Sequence, residues 1–288
     1  MLIDLQLHST YSDGYLTPTQ LVRFIASCGV KVAALTDHNT VSGLDEFRRA
    51  CHHFGIKPVT GLELYIKFHQ YRFNLLWYNF DDTNPNLHNL LRESQRRRRR
   101  QVRIALTKLK EKREFVFDVN KLLDRYNHYV PINHIIDDIT AVPANWQKIK
   151  QELELAHPRE GDIIAEYFYN KEIYVLKNAY IDIDRVLRLK EQIGGQLILC
   201  HPAKFLGVNI DLIKELKKLG VVGMEKMSPH HSYGAIMYIQ HWARELNLIE
   251  TGGSDFHRFE GRGHLVQDAW QYFRVDTAHL RKIKQIIE

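Results

Sequence analysis

The chain is poor in cysteine, and its three, Cys28, Cys51 and Cys200, include no close pair. An odd, scattered set excludes a disulfide framework and points to a reducing cytoplasm. No apolar stretch approaches the length that a membrane span needs. The opening residues, Met1-Leu2-Ile3-Asp4-Leu5, lack the basic start and apolar run of a secretory signal and read as a strand. Internal repeats and low-complexity linkers are missing as well.

What is present is a globular balance. Across 288 residues, apolar side chains make up 44% and charged ones 26%. That suffices for the core of one large α/β domain, or of one domain with an insertion. A net charge of +6 favours anionic partners without naming one. Histidine is in excess: there are sixteen, several beside Asp or Gly at the ends of apolar runs.

The first third alternates strand and helix. Leu2 to Leu7 reads as a strand running into His8-Ser9-Thr10-Tyr11-Ser12-Asp13-Gly14. Thr17 is a helix cap with Pro18 at the first helical position, and Leu21, Phe24, Ile25 and Cys28 form the apolar face. Val30 to Thr36 is the next strand, ending in Asp37-His38-Asn39, and Gly43 to Phe54 the next helix. Lys57 to Leu64 and Tyr71 to Tyr78 are two further strands. From about 87 the pattern turns helical, beginning with a long basic helix over Arg92 to Lys112, and this stretch to about 161 is expected to be a helical insertion in a domain spanning 1–288. Alternation then resumes, with strands ending at Cys200-His201-Pro202, at Lys226 and at Gly252, before Gly253-Ser254-Asp255-Phe256-His257. Strand-then-helix order implies parallel strands, and in an α/β barrel their C-terminal ends open onto one face.

Metal-competent groups fall at those ends: His8 and Asp13, Asp37 and His38, Glu63, His201, and Asp255 with His257. A lone histidine at a strand end is usually a hydrogen-bonded structural residue, and a lone carboxylate often caps the next helix. Eight such groups arriving at the same end of successive strands call for a site. Imidazole with carboxylate suits Zn²⁺, Mn²⁺ or Fe²⁺ rather than Ca²⁺.

These stretches resemble the PHP (polymerase and histidinol phosphatase) family: Asp4-Leu5-Gln6-Leu7-His8-Ser9 with Ser12-Asp13-Gly14, Thr36-Asp37-His38, Gly61-Leu62-Glu63, Cys200-His201-Pro202 and Thr251 to His257, in family order. The resemblance implies a distorted (β/α)7 TIM-like barrel with a helical insertion, of the branch that contains nucleotide phosphatases and an exoribonuclease. It implies a metal-dependent phosphoric ester hydrolase acting through a metal-activated hydroxide, on a phosphate monoester or diester of a nucleotide or a short RNA end. A small-metabolite phosphatase of the histidinol-phosphate type, and a degenerate barrel that binds phosphate or nucleic acid without turnover, are the alternatives.

Carried over by position, the family's metal ligands fall on Gln6, His8, Asp13, His38, Glu63, Asn74, His201, Asp255 and His257, with Asp13, His38, Glu63 and His257 also at the chemical step. Gln6 and Asn74 depart from the pattern, standing where the family has His. The grouping implied is Gln6, His8, Glu63 and Asp255 on one ion, Asp13, His38 and His257 on a second, and Glu63, Asn74 and His201 on a third. One to three divalent ions are expected, Mn²⁺ first because it accepts amide oxygens, with Zn²⁺ or Fe²⁺ as alternatives.

His134, His230, His231 and Arg258 are the candidates to meet a substrate phosphate, a surface role being the competing reading for the histidines. The expected partner is a phosphorylated small molecule or nucleotide, with short RNA a further candidate and no membrane. The Arg96 to Arg100 run is read first as a solvated face, because five consecutive positions spread around a helix.

Overall fold

The computed structural model describes residues 1–171, 173, 175–176, 179–205, 209–259 and 275–288. The chain divides into two compact units, Met1–Leu90 with Tyr180–Glu288, and Leu91–Ala179.

The first unit begins with β1 (Leu2–Leu7), α1 (Pro18–Ser27), β2 (Val32–Leu35), α2 (Leu44–Phe54), β3 (Lys57–Phe68) and β4 (Tyr71–Tyr78). The α1 start is as the sequence indicates: the Thr17 side chain takes the Gln20 N–H and the Gln20 side chain returns to the Thr17 backbone, with Pro18 at the first turn. Helix α3 (Pro85–Arg113) follows; from Leu91 on its residues belong to the second unit, as do α4 (Val119–Leu123), α5 (Ile132–Thr140), α6 (Pro143–Leu153) and α7 (Glu160–Phe168). The first unit resumes with β5 (Ile181–Asp182), α8 (Ile183–Ile193), β6 (Gln196–Leu199), α9 (Pro202–Phe205), α10 (Ile210–Lys218), β7 (Val221–Met227), α11 (Tyr233–Glu245) and β8 (Ile249–Gly252). It ends with β9 (Val275–Asp276) and α12 (Lys284–Ile287).

The strand order is β8-β7-β6-β4-β3-β2-β1-β9, with β5 added beside β3. The β8 end of this sheet returns to β1. Leu7 bridges Phe256 in parallel, and the His8 N–H donates to the Phe256 carbonyl at 3.0 Å. The ring so drawn contains β1, β2, β3, β4, β6, β7 and β8, the distorted TIM-like barrel that the sequence implies. Its strands are parallel except β4, which runs antiparallel to both neighbours. The reason is the connection. Only His69 and Gln70 separate β3 from β4, which permits a hairpin and no crossover.

The barrel interior is apolar at one end and polar at the other. Ile3, Leu5, Val32, Ala34, Val59, Leu76, Tyr78, Ile198, Cys200 and Ile249 pack together, closed by Leu280, Ile283, Ile286 and Ile287 of the C-terminal segment. Side chains alternate along a strand. Glu63 therefore shares a face with Val59, and Asn74 shares one with Leu76 and Tyr78, one layer further toward the C-terminal ends of the parallel strands.

The second unit has its own core. Val102, Ala105, Leu106 and Leu109, at helical spacing on α3, pack with Phe115, Leu123, Ile135, Ile139, Ile149, Tyr167 and Phe168. Part of the arginine run serves this unit. Arg98 is buried, with Nε donating to the Val130 carbonyl at 3.2 Å and its guanidinium over the Tyr129 ring. Arg99 donates to the Leu123 and Tyr126 carbonyls at 2.8 and 2.9 Å, satisfying acceptors at the end of α4. Arg96, Arg97 and Arg100 are exposed.

Barrel closure depends on Gly253. A Cβ there would lie 2.4 Å from the Gln6 nitrogen and 2.7 Å from the Gln6 Cβ. Gly253→Ala is expected to destabilise the fold by about 3 kcal/mol, the upper part of the usual overpacking range, with urea denaturation as the measurement. An unchanged midpoint would contradict the close approach of β8 to β1.

Candidate metal centre

The polar layer gathers side chains from six separate stretches of chain. His8 follows β1, and Asp13 sits in the loop after it. His38 follows β2 and bridges Glu63 of β3 in parallel. Asn74 is on β4, His201 follows β6, and Asp255 and His257 follow β8. All nine positions carried over from the sequence resemblance lie here.

The loop after β1 is tied down by a carboxylate. Asp37 accepts the Ser9 N–H at 2.7 Å, the Ser9 hydroxyl at 2.6 Å and the Ser12 hydroxyl at 2.6 Å. It caps no helix, since α2 starts after Gly43. Gly14 closes the same loop, where a Cβ would fall 2.2 Å from the His8 carbonyl oxygen.

Two non-glycine residues of the layer hold left-handed backbone: His201 at φ 25° and Asp255 at φ 50°. Such conformations cost roughly 1–3 kcal/mol and persist where the surroundings enforce them. Here each turns a side chain at the end of a strand back over the barrel mouth.

The central group is Glu63, which is fully buried. His8 Nε2 lies 3.1 Å from its Oε2 and also 3.1 Å from Asp255 Oδ1. His38 Nδ1 lies 3.9 Å from Glu63 Oε2, and His201 Nε2 lies 3.4 Å from Oε1. Asp13 faces His38 Nε2 at 3.5 Å and His257 Nε2 at 3.4 Å. The rings stack as well: His8 sits 4.2 Å from His257 and 4.6 Å from His38, whose other neighbour is the Tyr65 ring at 4.7 Å.

Burial opposes every charge in this layer, yet the carboxylates stay ionised. The imidazoles of His38, His257 and His8 hold Asp13 well below the usual range. Those of His38, His201 and His8 do the same for Glu63, and His257, His230 and His8 for Asp255. Burial pushes His38 down to about 4, so it presents a neutral ring. Beneath this layer, burial raises Glu225 well above the carboxylate range and Asp4 to about 7.

The layer has the donor chemistry of a cation site. Three anionic carboxylates and four imidazoles converge there, with His8, Glu63 and His201 buried. Neither ring nitrogen of His8 makes an aligned hydrogen bond, although two carboxylate oxygens flank Nε2. Wholly buried polar atoms without a hydrogen bond are costly unless something else satisfies them. Among the described residues, three sets have donor atoms mutually within 4.8 Å: His8, Asp13, His38 and His257; His8, Glu63 and Asp255; and Glu63, Cys200 and His201. Gln6 and Asn74 enter differently. Gln6 Nε2 donates to Glu63 Oε2 at 3.1 Å, and Asn74 Nδ2 donates to Glu63 Oε1.

Of the residues expected to meet substrate, His230 lies at the layer, with Nε2 2.6 Å from Asp255 Oδ2. His231 is buried and its Nδ1 faces the Lys226 carbonyl at 2.9 Å. Arg258 donates to the Tyr15 hydroxyl at 3.2 Å, with its guanidinium over that ring. His134 belongs to the second unit, on α5, against the Tyr126 ring. Sequence reasoning missed Lys204, whose Nζ is 3.1 Å from His230 Nε2 and 3.7 Å from Asp255 Oδ2. Its signal was a basic residue one turn after His201-Pro202.

With this geometry in hand, comparison with known proteins is decisive. The PHP domain profile matches residues 4–185. The chain belongs to the PHP domain family. A 5'-3' exoribonuclease of Haemophilus influenzae is 29% identical over 88% of this chain and 89% of its own length. A phosphoribosyl 1,2-cyclic phosphate 1,2-diphosphodiesterase of Eggerthella lenta is 27% identical over 91% and 96%. A 3',5'-nucleoside bisphosphate phosphatase of Chromobacterium violaceum is 24% identical over 88% and 87%. A solved structure from Bifidobacterium adolescentis, assigned as a metal-dependent phosphoesterase, covers 96% of this chain and 97% of its own, with a TM-score of 0.71 at 20% identity. At that identity the likeness speaks to fold alone. As a PHP member the protein is a metal-dependent phosphoesterase, a hydrolase of phosphate esters. Among the described residues no helix is long and apolar enough to cross a membrane.

Asp37→Ala removes the acceptor of three hydrogen bonds in the loop that carries Asp13. An expected loss of about 3 kcal/mol, at the upper end for stranding buried donors, is read by urea denaturation. A stability change below the error of that measurement would remove Asp37 as the anchor of the loop.

Proposed function

We propose that the buried layer holds divalent cations and that this PHP phosphoesterase hydrolyses a phosphate ester of a nucleotide or of a short RNA end. The observation that carries the reading is the placement of His8. Its Nε2 is flanked at 3.1 Å by Glu63 and Asp255 without an aligned hydrogen bond, in a largely buried layer that also holds Asp13, His38 and His257. His8, Glu63 and Asp255 would hold one cation, Asp13, His38 and His257 a second, and Glu63 with His201 a third, the first and third groups sharing Glu63.

Bound cations would supply an ionised water at neutral pH and offset the charge of the phosphoryl oxygens. The chain's own groups do the rest. Hydrogen bonds to Asp37 fix the loop that aims Asp13. The Tyr65–His38–His8–His257 stack sets the ring planes. Lys204 and His230, each about one third exposed, sit beside Asp255 at the rim and can bind phosphate oxygens that project outward. Arg258, held over Tyr15, offers a further guanidinium for a second phosphate or the sugar-phosphate backbone.

The nucleotide or RNA substrate is supported by the relatives: one is an exoribonuclease and another a nucleoside bisphosphate phosphatase, each aligned over most of this chain. A binding module without turnover is favoured by one observation, that the Gln6 and Asn74 amides already donate to both oxygens of Glu63.

Purified protein loaded with Mn²⁺ and offered a 3',5'-nucleoside bisphosphate, a 5'-phosphorylated short RNA and histidinol phosphate separates these readings. Hydrolysis of one of the first two is expected. Asp13→Ala and His257→Ala are each expected to lower kcat by at least about 10²-fold, the scale of losing a group that stabilises the transition state. Turnover of histidinol phosphate alone would move the substrate to small metabolites. No turnover by metal-loaded protein would leave a binding module, and fewer than one ion per chain by elemental analysis would end the enzymatic reading.

A further inference from the structure

The position carried over as Glu63, Asn74 and His201 is built differently here. Asn74 turns its Nδ2 to Glu63 Oε1 and donates to it. A donor so engaged is not a ligand. A sulfur lies beside the same oxygen. Cys200 Sγ lies 3.5 Å from Glu63 Oε1, and His201 Nε2 lies 3.4 Å from the same oxygen. All three side chains are buried, at most 1% exposed.

Two further observations bear on the sulfur. The Gln6 carboxamide donates from Nε2 to Cys200 Sγ at 3.1 Å, so the sulfur already presents a lone pair within the layer. The backbone is bent toward the same spot. Consecutive residues of a strand point to opposite faces, so Cys200 and His201 would ordinarily diverge. The φ of 25° at His201 brings both onto one carboxylate oxygen.

The spacing fits a small tetrahedral ion. Bonds of about 2.3 Å to sulfur and about 2.1 Å to nitrogen or oxygen place S···O at about 3.6 Å and N···O at about 3.4 Å. The observed separations are 3.5 and 3.4 Å.

We propose that Cys200 is a thiolate ligand of a cation held with Glu63 and His201, and that this position selects Zn²⁺ or Fe²⁺ over Mn²⁺. A soft sulfur beside imidazole and carboxylate sets that preference. Coordination replaces the Sγ–H proton, which leaves to solvent. The inference rests on the reading that the layer binds cations, and adds which metal one position takes and through which atom.

The test uses Co²⁺ alone as the probe. Full-length protein is stripped with a chelator and titrated with Co²⁺ while the near-ultraviolet spectrum is recorded. A thiolate-to-Co²⁺ charge-transfer band is expected in the native chain and its complete loss in Cys200→Ser, with the remaining Co²⁺ still bound. Bound Co²⁺ without the band, or a band that survives in Cys200→Ser, overturns the proposal. Should Cys200→Ser fail to fold, X-ray absorption on the Zn²⁺-loaded native protein reads the sulfur directly: a shell at about 2.3 Å supports it and an all-nitrogen-and-oxygen shell refutes it. Mn²⁺-dependent hydrolysis is measured on the same preparation. Hydrolysis with no sulfur signal sinks this inference alone, whereas failure to bind any metal sinks the underlying reading too.

Discussion

Burying a carboxylate deep in a barrel is costly, and the layer around Glu63 is organised by that cost. An ionised group taken out of water loses several kcal/mol unless charges or donors replace its hydration. Glu63 is surrounded by Gln6, His8, His38, Asn74, Cys200 and His201, drawn from four strands of the ring and the turns after them. Asp13 and Asp255 repeat the situation within the same few ångströms. Three like charges so close repel strongly at low dielectric. The imidazoles temper this: neighbouring carboxylates raise His8 and His257 against their burial, while burial holds His38 down to about 4. Divalent cations, on the proposed reading, would add to that balance through the same residues.

The same logic explains where strain is tolerated. His201 and Asp255 occupy left-handed backbone although neither is glycine. Glycine would adopt those angles freely but could bring no donor. The barrel instead spends conformational energy at two strand ends to aim an imidazole and a carboxylate inward. Gly14 and Gly253 do the complementary task, letting backbone approach backbone so that the loop after β1 and the end of β8 press against the site.

Much of this was legible in the sequence, because the chemistry sits directly after apolar strands. Leu2 to Leu7 leading to His8, and Leu248 to Gly252 leading to Asp255 and His257, carry strand period and polar motif in one reading frame. The Thr17-Pro18 helix start was legible for the same local reason. What was hidden depends on three dimensions. The reversal of β4 follows from β3 running on to Phe68, past the Leu64 end that the sequence suggests, which leaves only two residues before β4. Cys200 was hidden because period two sends it and His201 to opposite faces, and only the backbone angle at His201 reunites them. Arg98 was hidden inside a charge run, although its neighbour Val102 already marks the buried side of the helix.

The two departures from the family pattern now look less like losses than like a redistribution. A histidine at position 6 or 74 would offer a lone pair to a cation; the amides there offer N–H groups to Glu63. Each such hydrogen bond stabilises the Glu63 anion and takes part of its lone-pair capacity, so a cation on Glu63 meets a weaker oxygen donor than in a barrel with histidines. The group of Asp13, His38 and His257 contains no amide and keeps its full donor set. On the proposed reading, cation affinity across the layer would be graded, strongest toward the loop after β1 and weakest toward β4, with the sulfur of Cys200 able to strengthen the weak end. On that reading, a single thiol just after β6 would decide whether this barrel grips cations at one side or at both.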